Sequence, residues 1–433
     1  MIKETFKKGI IFLLKIESKL ILKKYKPKIV GVAGSVGKTS LKDAVALVLG
    51  SHFNVRKSEK SYNSQWGVPL TIIGAKSAWN NVFGWIGVLF RGLFIILKRI
   101  SYPQWLVLEM GVGKPKDMDF LLSFVKPNVA IFNATGETPA HIEFFEDVEE
   151  IKREKAKIIE SLTENDVAIL NGDDKFIFNL KNKTKAKTLV YGFPEYNSFD
   201  NTKELDLWAS NYSVSWDGIN FKINYMGTII PVRMPNVFGR QFVYVAMGAI
   251  AVGLSQGINL VDAVQFLTLF KPAPGRMNLL EGVKNSLILD DTYNSSPAAV
   301  KMALETIKEL PAKRKIVVLG DMLELGKFAV DEHKKIGNLV KEFGIDMVFA
   351  VGPRAKFIYE EALDSGFNPK NIFYFPSTEE TGKFLESKIK EGDLILIKGS
   401  QAMRMEKIVE EIMAHPEKKE DLLVRQEKEW LNR

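Results

Sequence analysis

The run GVAGSVGKTSLKDAV, Gly31 to Val45, limits what this chain can fold into more than any other stretch. KIVGVAG, at its start, is the apolar pattern of a buried strand, and TSLKDAVALVLG, after it, has helical spacing closed by a glycine. A glycine-rich turn from strand to helix brings backbone N–H groups and the positive end of a helix onto an anion. The stretch therefore predicts a phosphate cradle in an α/β sheet. The longer form of this loop has glycine five residues before the Gly37-Lys38 pair, where Val32 stands. A shorter form remains: Gly34, Ser35, Val36, Gly37, Lys38, Thr39 and Ser40. In it Lys38 can pair with terminal phosphate charge and Thr39 can ligate magnesium.

Around this motif the chain alternates. WLVLEMG, NVAIFNA and VAIL read as strands, with a charged helical run from Asp147 to Leu162 between the last two. From about Leu205 to Val232 the period changes to two, with a turn at Trp216-Asp217-Gly218, which predicts antiparallel strands. Prolines cluster at KPAPGRM, and beyond it SLILDD, KIVVLGD, MVFAVG and DLILIKG alternate with helices. The predicted class is α/β. A central P-loop-type mononucleotide-binding domain with a mostly parallel sheet plus a small antiparallel sheet is followed by a Rossmann-like C-terminal α/β domain. The expected boundaries are 1–28, a basic amphipathic helix; 29–270, the central domain; and 271–433, the C-terminal domain. A length of 433 residues, 46% of them apolar, is enough for these cores.

Charge and cysteine usage exclude several functions. The chain has no cysteine, so disulfides, thiolate metal sites and a thiol nucleophile are out. Nine lysines against two glutamates before Ile29 give that segment +7 of the chain's net +8. The remainder is near neutral, which speaks against a nucleic-acid partner. The apolar run Ile10 to Leu14 is short and no small-residue cleavage site follows it, unlike a signal peptide. WNNVFGWIGVLFRGLFIILKRI, Trp79 to Ile100, approaches the ~20 residues that span a bilayer. Arg91 interrupts it, and one crossing here would part Lys38 from Glu109, which belong to one sheet. The expectation is a helix packed on the protein or inserted in a membrane interface beside the basic N-terminal helix.

The short loop and its continuation TSLKDAV resemble the ATP-binding loop of the Mur ligases. YNSQWGVPLTIIG, which holds Asn63, is similar to the family's Asn-rich segment, and LVLEMG to its magnesium-binding Glu strand. AHIEFFEDVEEIKREKAKII resembles the segment with a His and, one helix later, a carbamylated Lys. APGRM, LILDDTYNSSPAAV, VVLGDMLELG and LILIKGS resemble signatures of the branch that adds D-alanyl-D-alanine to UDP-N-acetylmuramoyl-tripeptide.

This resemblance implies an ATP-dependent amide ligase of cell-wall precursor synthesis. ATP phosphorylates a substrate carboxylate, and an amine then displaces phosphate from the acyl phosphate. Two anions must meet, so the site should be rich in metal and lysine. The family pattern assigns magnesium to Thr39, Glu109, His141 and Lys155, the last carbamylated by carbon dioxide, and catalytic roles to Lys38, Lys155 and His141. It puts Arg276 on the phosphates, Asp290 or Asp291 on the ribose, and Tyr293 and Asn294 beside the nucleotide. Asn63, Asp321, Glu324, Lys398 and Ser400 fall to the substrates. Taken as residues alone, Glu109 reads equally as a strand-end acid, Lys155 as a water-facing lysine, His141 as a solvated side chain and the Asp pair as a helix cap.

The implied partners are a small-molecule or lipid-linked muramoyl-peptide and a dipeptide amine. A monomer in the cytoplasm, or at the inner face of its membrane through 1–28 and 79–100, is the expected setting. Three departures stand out. Only a basic apolar segment precedes Ile29, where the family carries a uridine-gripping domain. GRQFVYV, Gly239 to Val245, replaces an asparagine-bearing GxHNxxN segment, with Gln241 as a partial substitute. NATGETPAH is longer between Asn133 and His141 than the family spacing. Other readings are a different amino-acid ligase, such as a folylpolyglutamate-synthase-like one, or a non-ligating ATP-binding protein at the membrane.

Overall fold

The structure, a computed structural model, describes residues 2–195 and 204–431, with side chains from Lys7 onward. Two sheets organise it. The first has nine strands, in the spatial order Val55–Lys57, Trp105–Glu109, Lys28–Ala33, Val129–Phe132, Val167–Asn171, Lys187–Gly192, Leu207–Ser215, Gly218–Tyr225 and Thr228–Pro235. Pairing is parallel as far as Leu207–Ser215 and antiparallel over the last three strands. The period-two strands do not stand apart. They join the parallel ones through Tyr191 opposite Leu207 and Gly192 opposite Trp208.

Five consecutive buried residues, Ile29 to Ala33, make up the strand ahead of the glycine turn, as expected where both faces of a parallel sheet are covered. Its neighbours are Trp105–Glu109 and Val129–Phe132, so the loop that follows it opens between two strand ends. The helix Lys38–Gly50 buries Leu41, Ala44, Val45, Val48 and Leu49, an i, i+3, i+4 stripe, against the almost wholly apolar helix Gln241–Ser255.

The second sheet has six strands, in the order Asn278–Gly282, Ser286–Asp291, Asp393–Lys398, Arg314–Gly320, Met347–Val351 and Ile372–Phe375. Only the first pair is antiparallel. Strand ends of both sheets face a common cleft, where ligands of such sheets bind.

The two segments suspected of membrane contact are helices Ile2–Tyr25 and Val82–Leu97, packed on each other. Lys24 Nζ donates to the carbonyls of Ile95 (3.0 Å), Ile96 (2.9 Å) and Lys98 (2.6 Å), closing the second helix's C-terminus. Among the described residues no helix is long and apolar enough to cross a membrane.

Candidate nucleotide and ligase site

The loop takes its shape from two glycines. Gly34 has φ 145° and Gly37 φ 76°, and a Cβ at Gly37 would come within 3.1 Å of Asn133 Nδ2. That amide donates to the Val36 carbonyl (3.2 Å), and the Ser35 N–H donates to the Ala134 carbonyl (2.6 Å). The end of the neighbouring strand thus braces the turn. Asn133, known from the sequence only as a spacing mark, is part of this brace.

In the first turn of the helix, Thr39 Oγ1 donates to Glu109 Oε2 (3.0 Å) and lies 2.8 Å from Ser61 Oγ. Asn63 Nδ2 donates to the other Glu109 oxygen (2.9 Å). Strand register explains the meeting, because Glu109 pairs with Val32, two residues before the loop. Glu109 is only 2% exposed, and the partners of its carboxylate are uncharged side chains. Burial lowers the Lys38 pKa, Glu109 counters this, and Arg276 adds to it.

Lys155 is buried, against the sequence reading of a water-facing lysine. On the helix Val148–Glu160 it shares a face with Ile151, Ile158 and Ile159, whereas Lys152 and Lys157 pair with acids at the rim. Its Nζ donates to Ser35 Oγ (2.8 Å). Burial, then the nearby Lys38 cation, push its pKa well below the ordinary lysine range. The spacing 151, 155, 158, 159 was available as a signal for this burial.

A cavity of about 340 Å³ has Lys38, Thr39 and Glu109 on one wall and Arg276, Asp291 and Tyr293 on the other. Arg276 Nη2 donates across it to Thr39 Oγ1 (3.2 Å), with its guanidinium 3.9 Å above the Tyr293 ring. Lys398 Nζ pairs with Asp291 Oδ2 (2.6 Å) and donates to the Asn294 carbonyl (2.9 Å). Ser40, Asn63, Asn294, His141 and Gln241 also reach the cavity, and Gln241 Oε1 is buried without a partner.

Other expected residues lie elsewhere. Asp290 stands outside the cavity, fully buried, accepting from the Thr292 N–H (3.1 Å) and hydroxyl (2.6 Å). Burial pushes its pKa up to about 6. Alternation along the strand sends neighbouring aspartates to opposite sides, so the cavity receives Asp291. Asp321 is also spent on backbone, accepting from the N–H groups of Arg354 (2.9 Å) and Ala355 (2.7 Å). Ser400 Oγ accepts from the Leu323 N–H (2.8 Å), so these two residues shape the loop that carries Glu324. Glu324 Oε2 then lies 2.5 Å from His141 Nδ1, across the two lobes, and this contact holds the Glu324 carboxyl below its usual range.

Among the described residues no group of three or more His, Asp or Glu is placed to hold a metal. The Thr39 hydroxyl and Glu109 carboxylate nevertheless fit magnesium. That ion takes one or two protein oxygens and completes its shell with phosphate and water.

Two family models match the chain in order: the Mur ligase middle domain over residues 92–253 and the Mur ligase glutamate ligase domain over 275–401. The UDP-N-acetylmuramoyl-tripeptide--D-alanyl-D-alanine ligase of Bacillus subtilis (strain 168) is 29% identical over 400 residues, 92% of this chain and 79% of that protein. The enzyme of the same name from Escherichia coli (strain K12) is 27% identical over 385 residues, 88% of this chain and 76% of its own. A crystal structure of MurF ligase from Thermotoga maritima in complex with ADP superposes with TM-score 0.74 at 26% identity, covering 93% of this chain and 83% of that one. MurF from Acinetobacter baumannii, 23% identical, shares the fold with TM-score 0.75 over 92% of this chain and 79% of its own. One match covers much of the first lobe and the other most of the second, and the chain therefore belongs to the Mur ligase family.

Proposed function

We propose that this protein is an ATP-dependent ligase that joins D-alanyl-D-alanine, or a similar amine, to the carboxylate of a muramoyl-peptide. The observation that carries the reading is the meeting of Lys38, Thr39 and Glu109 from one lobe with Arg276 from the other in a single cavity. The names of the relatives and the ADP complex of one of them support both the substrate class and the nucleotide. The lobes divide near Lys271, and one chain completes the cavity, so a monomer suffices.

The loop N–H groups and Lys38 would bind the phosphates of ATP, and Arg276 would bear on them from the opposite side. Asp291 and Tyr293 would orient the rest of the nucleotide, while Asn63, beside Glu109, would face the acceptor. Magnesium, held by Thr39 and Glu109, would supply charge neutralisation where phosphate and carboxylate approach. The carboxylate oxygen attacks the γ-phosphorus, ADP leaves, and the amine then attacks the acyl carbon and expels phosphate as its own proton is lost. Closing the lobes would keep water from the acyl phosphate.

Lys155 fits the carbamate reading. Desolvation favours its neutral amine, the form that attacks carbon dioxide: an N–C bond forms, one proton leaves the nitrogen, and the neutral side chain becomes an anion beside Ser35. Use of ATP would put the reaction in the cytoplasm. The test is release of phosphate with both substrates present, with the product identified by mass. Phosphate release that needs neither a muramoyl-peptide nor an amine would overturn the ligase reading.

A further inference from the structure

The paired helices Ile2–Tyr25 and Val82–Leu97 bury only one side each. Ile10, Leu14 and Ile21 on the first and Trp85, Val88 and Ile95 on the second face the protein. The outer side keeps Phe12, Leu20, Phe83, Phe90, Phe94 and Leu97 between 44 and 83% exposed. Single exposed apolar residues are ordinary, but a joined pair of helices carrying this many forms a continuous patch that marks an interaction face.

Charge says what that face fits. Lys7, Lys8, Lys19 and Lys23 on the first helix, and Arg91, Lys98 and Arg99 on or after the second, are all exposed. The one acid between residues 7 and 25, Glu17, is tucked against Gly92 with Oε2 buried and unpartnered, and residues 79–100 contain no acid. Exposed aromatic and aliphatic side chains edged by cations, with no exposed acid among them, are the arrangement that lies in a lipid interface. A second copy on the same face would bring like charges together. Between the helices Gly9, Ile10 and Leu13 face Trp85, Ile86 and Leu89 across an apolar groove of about 200 Å³, room for part of an acyl chain.

We propose that this two-helix face docks the protein, peripherally, on an anionic phospholipid bilayer. The inference does not depend on the ligase reading. The face also backs onto the site: Trp85 packs on Trp66 with ring centroids 4.9 Å apart, and Trp66 follows three residues after Asn63, whose amide holds Glu109. An acceptor carried in the bilayer would meet the Asn63 side of the cavity.

Vesicle flotation of the full chain tests it, with phosphatidylglycerol-containing vesicles against phosphatidylcholine alone. The protein should float with the anionic vesicles and be released by raised salt. The triple substitution Lys8→Gln, Lys19→Gln, Lys23→Gln should weaken partitioning about a hundredfold, from about fivefold per lysine. Phe83→Ser with Phe90→Ser, two exposed positions, should also abolish flotation while the circular-dichroism melt is unchanged. If the Phe pair fails to fold, the lysine variant alone decides. No flotation of folded wild-type protein overturns the proposal, and so does equal flotation of the lysine variant. Dimerisation by sedimentation without vesicle binding assigns the face to a second copy and also overturns it.

Discussion

The two lobes treat their buried acids differently. In the first lobe Glu109 accepts from Thr39 and Asn63, side chains that can turn toward an arriving ion. In the second lobe Asp321 accepts two backbone N–H groups, and Asp290 accepts one together with the hydroxyl of the same residue, Thr292, so both are tied to their own loops. A buried carboxylate held by main-chain donors is a loop fastening, because freeing it leaves those donors unsatisfied. One held by displaceable side chains can serve a ligand. The same contrast separates two buried lysines. Lys42 Nζ donates to the Ser58 and Lys60 carbonyls and neighbours Asp43, whereas Lys155 Nζ donates to a serine hydroxyl and lies near the Lys38 cation.

The contrast can be broken most directly at the first wall. Lys38→Ala should lower turnover by about 10³, the scale of a lost charged contact on a transferring group. Survival of more than a tenth of the rate, measured by product mass, would remove the loop from the chemistry. Lys155→Ala should cost roughly 10² to 10³, and a short-chain carboxylate should return part of it if an anion was lost. Lys152→Ala, at the rim, is the control and should stay within about twofold, the effect of an exposed pair.

The twin aspartates sharpen the contrast within the second lobe. Asp291→Asn should raise the KM for ATP about tenfold, the loss of one charged hydrogen bond. Asp290→Asn should instead cost about 1–2 kcal/mol of stability with activity per folded molecule kept. Its pH signature has a definite sign. The Asp290 pKa rises from 3.8 unfolded to about 6 folded, so the native state binds the extra proton and stability falls as pH rises through that window. The Asn variant should flatten this fall in melts taken between those two pH values. Among the site residues, the Lys152 control aside, Glu324→Gln should have the smallest effect, a few-fold at most, since its contact with His141 is partly exposed.

How much of this was legible varies by residue. Lys38, Thr39 and Glu109 could be placed because strand, turn and helix fix their register locally, and the neighbouring strand ends beside them. The α/β class and both sets of strands followed from the same alternation. Ser61 and Asn133 could not be found, since their contacts arise from segments that meet only in three dimensions. Asp290 and Asp291 could not be separated without knowing which face of the strand looks at the cavity. Lys155 is readable in principle, because the apolar stripe of its helix, Ile151, Ile158 and Ile159, carries position 155 to the buried side. The exposed face of the paired helices is a further case. Sequence gave its charge and apolarity, and packing alone showed which half stays bare.

Arg276 sits in the link between the lobes, two residues before the second sheet begins, its N–H donating to Asn278 Oδ1 while Asn278 Nδ2 donates to the Pro272 carbonyl. The guanidinium that touches Thr39 is therefore mounted on the link itself. A swing of one lobe would break its contact with Thr39, so that opening and dismantling the phosphate grip would be a single coordinate. Substitutions that stiffen or loosen this short link would thus retune the timing of nucleotide release while leaving every reacting group in place.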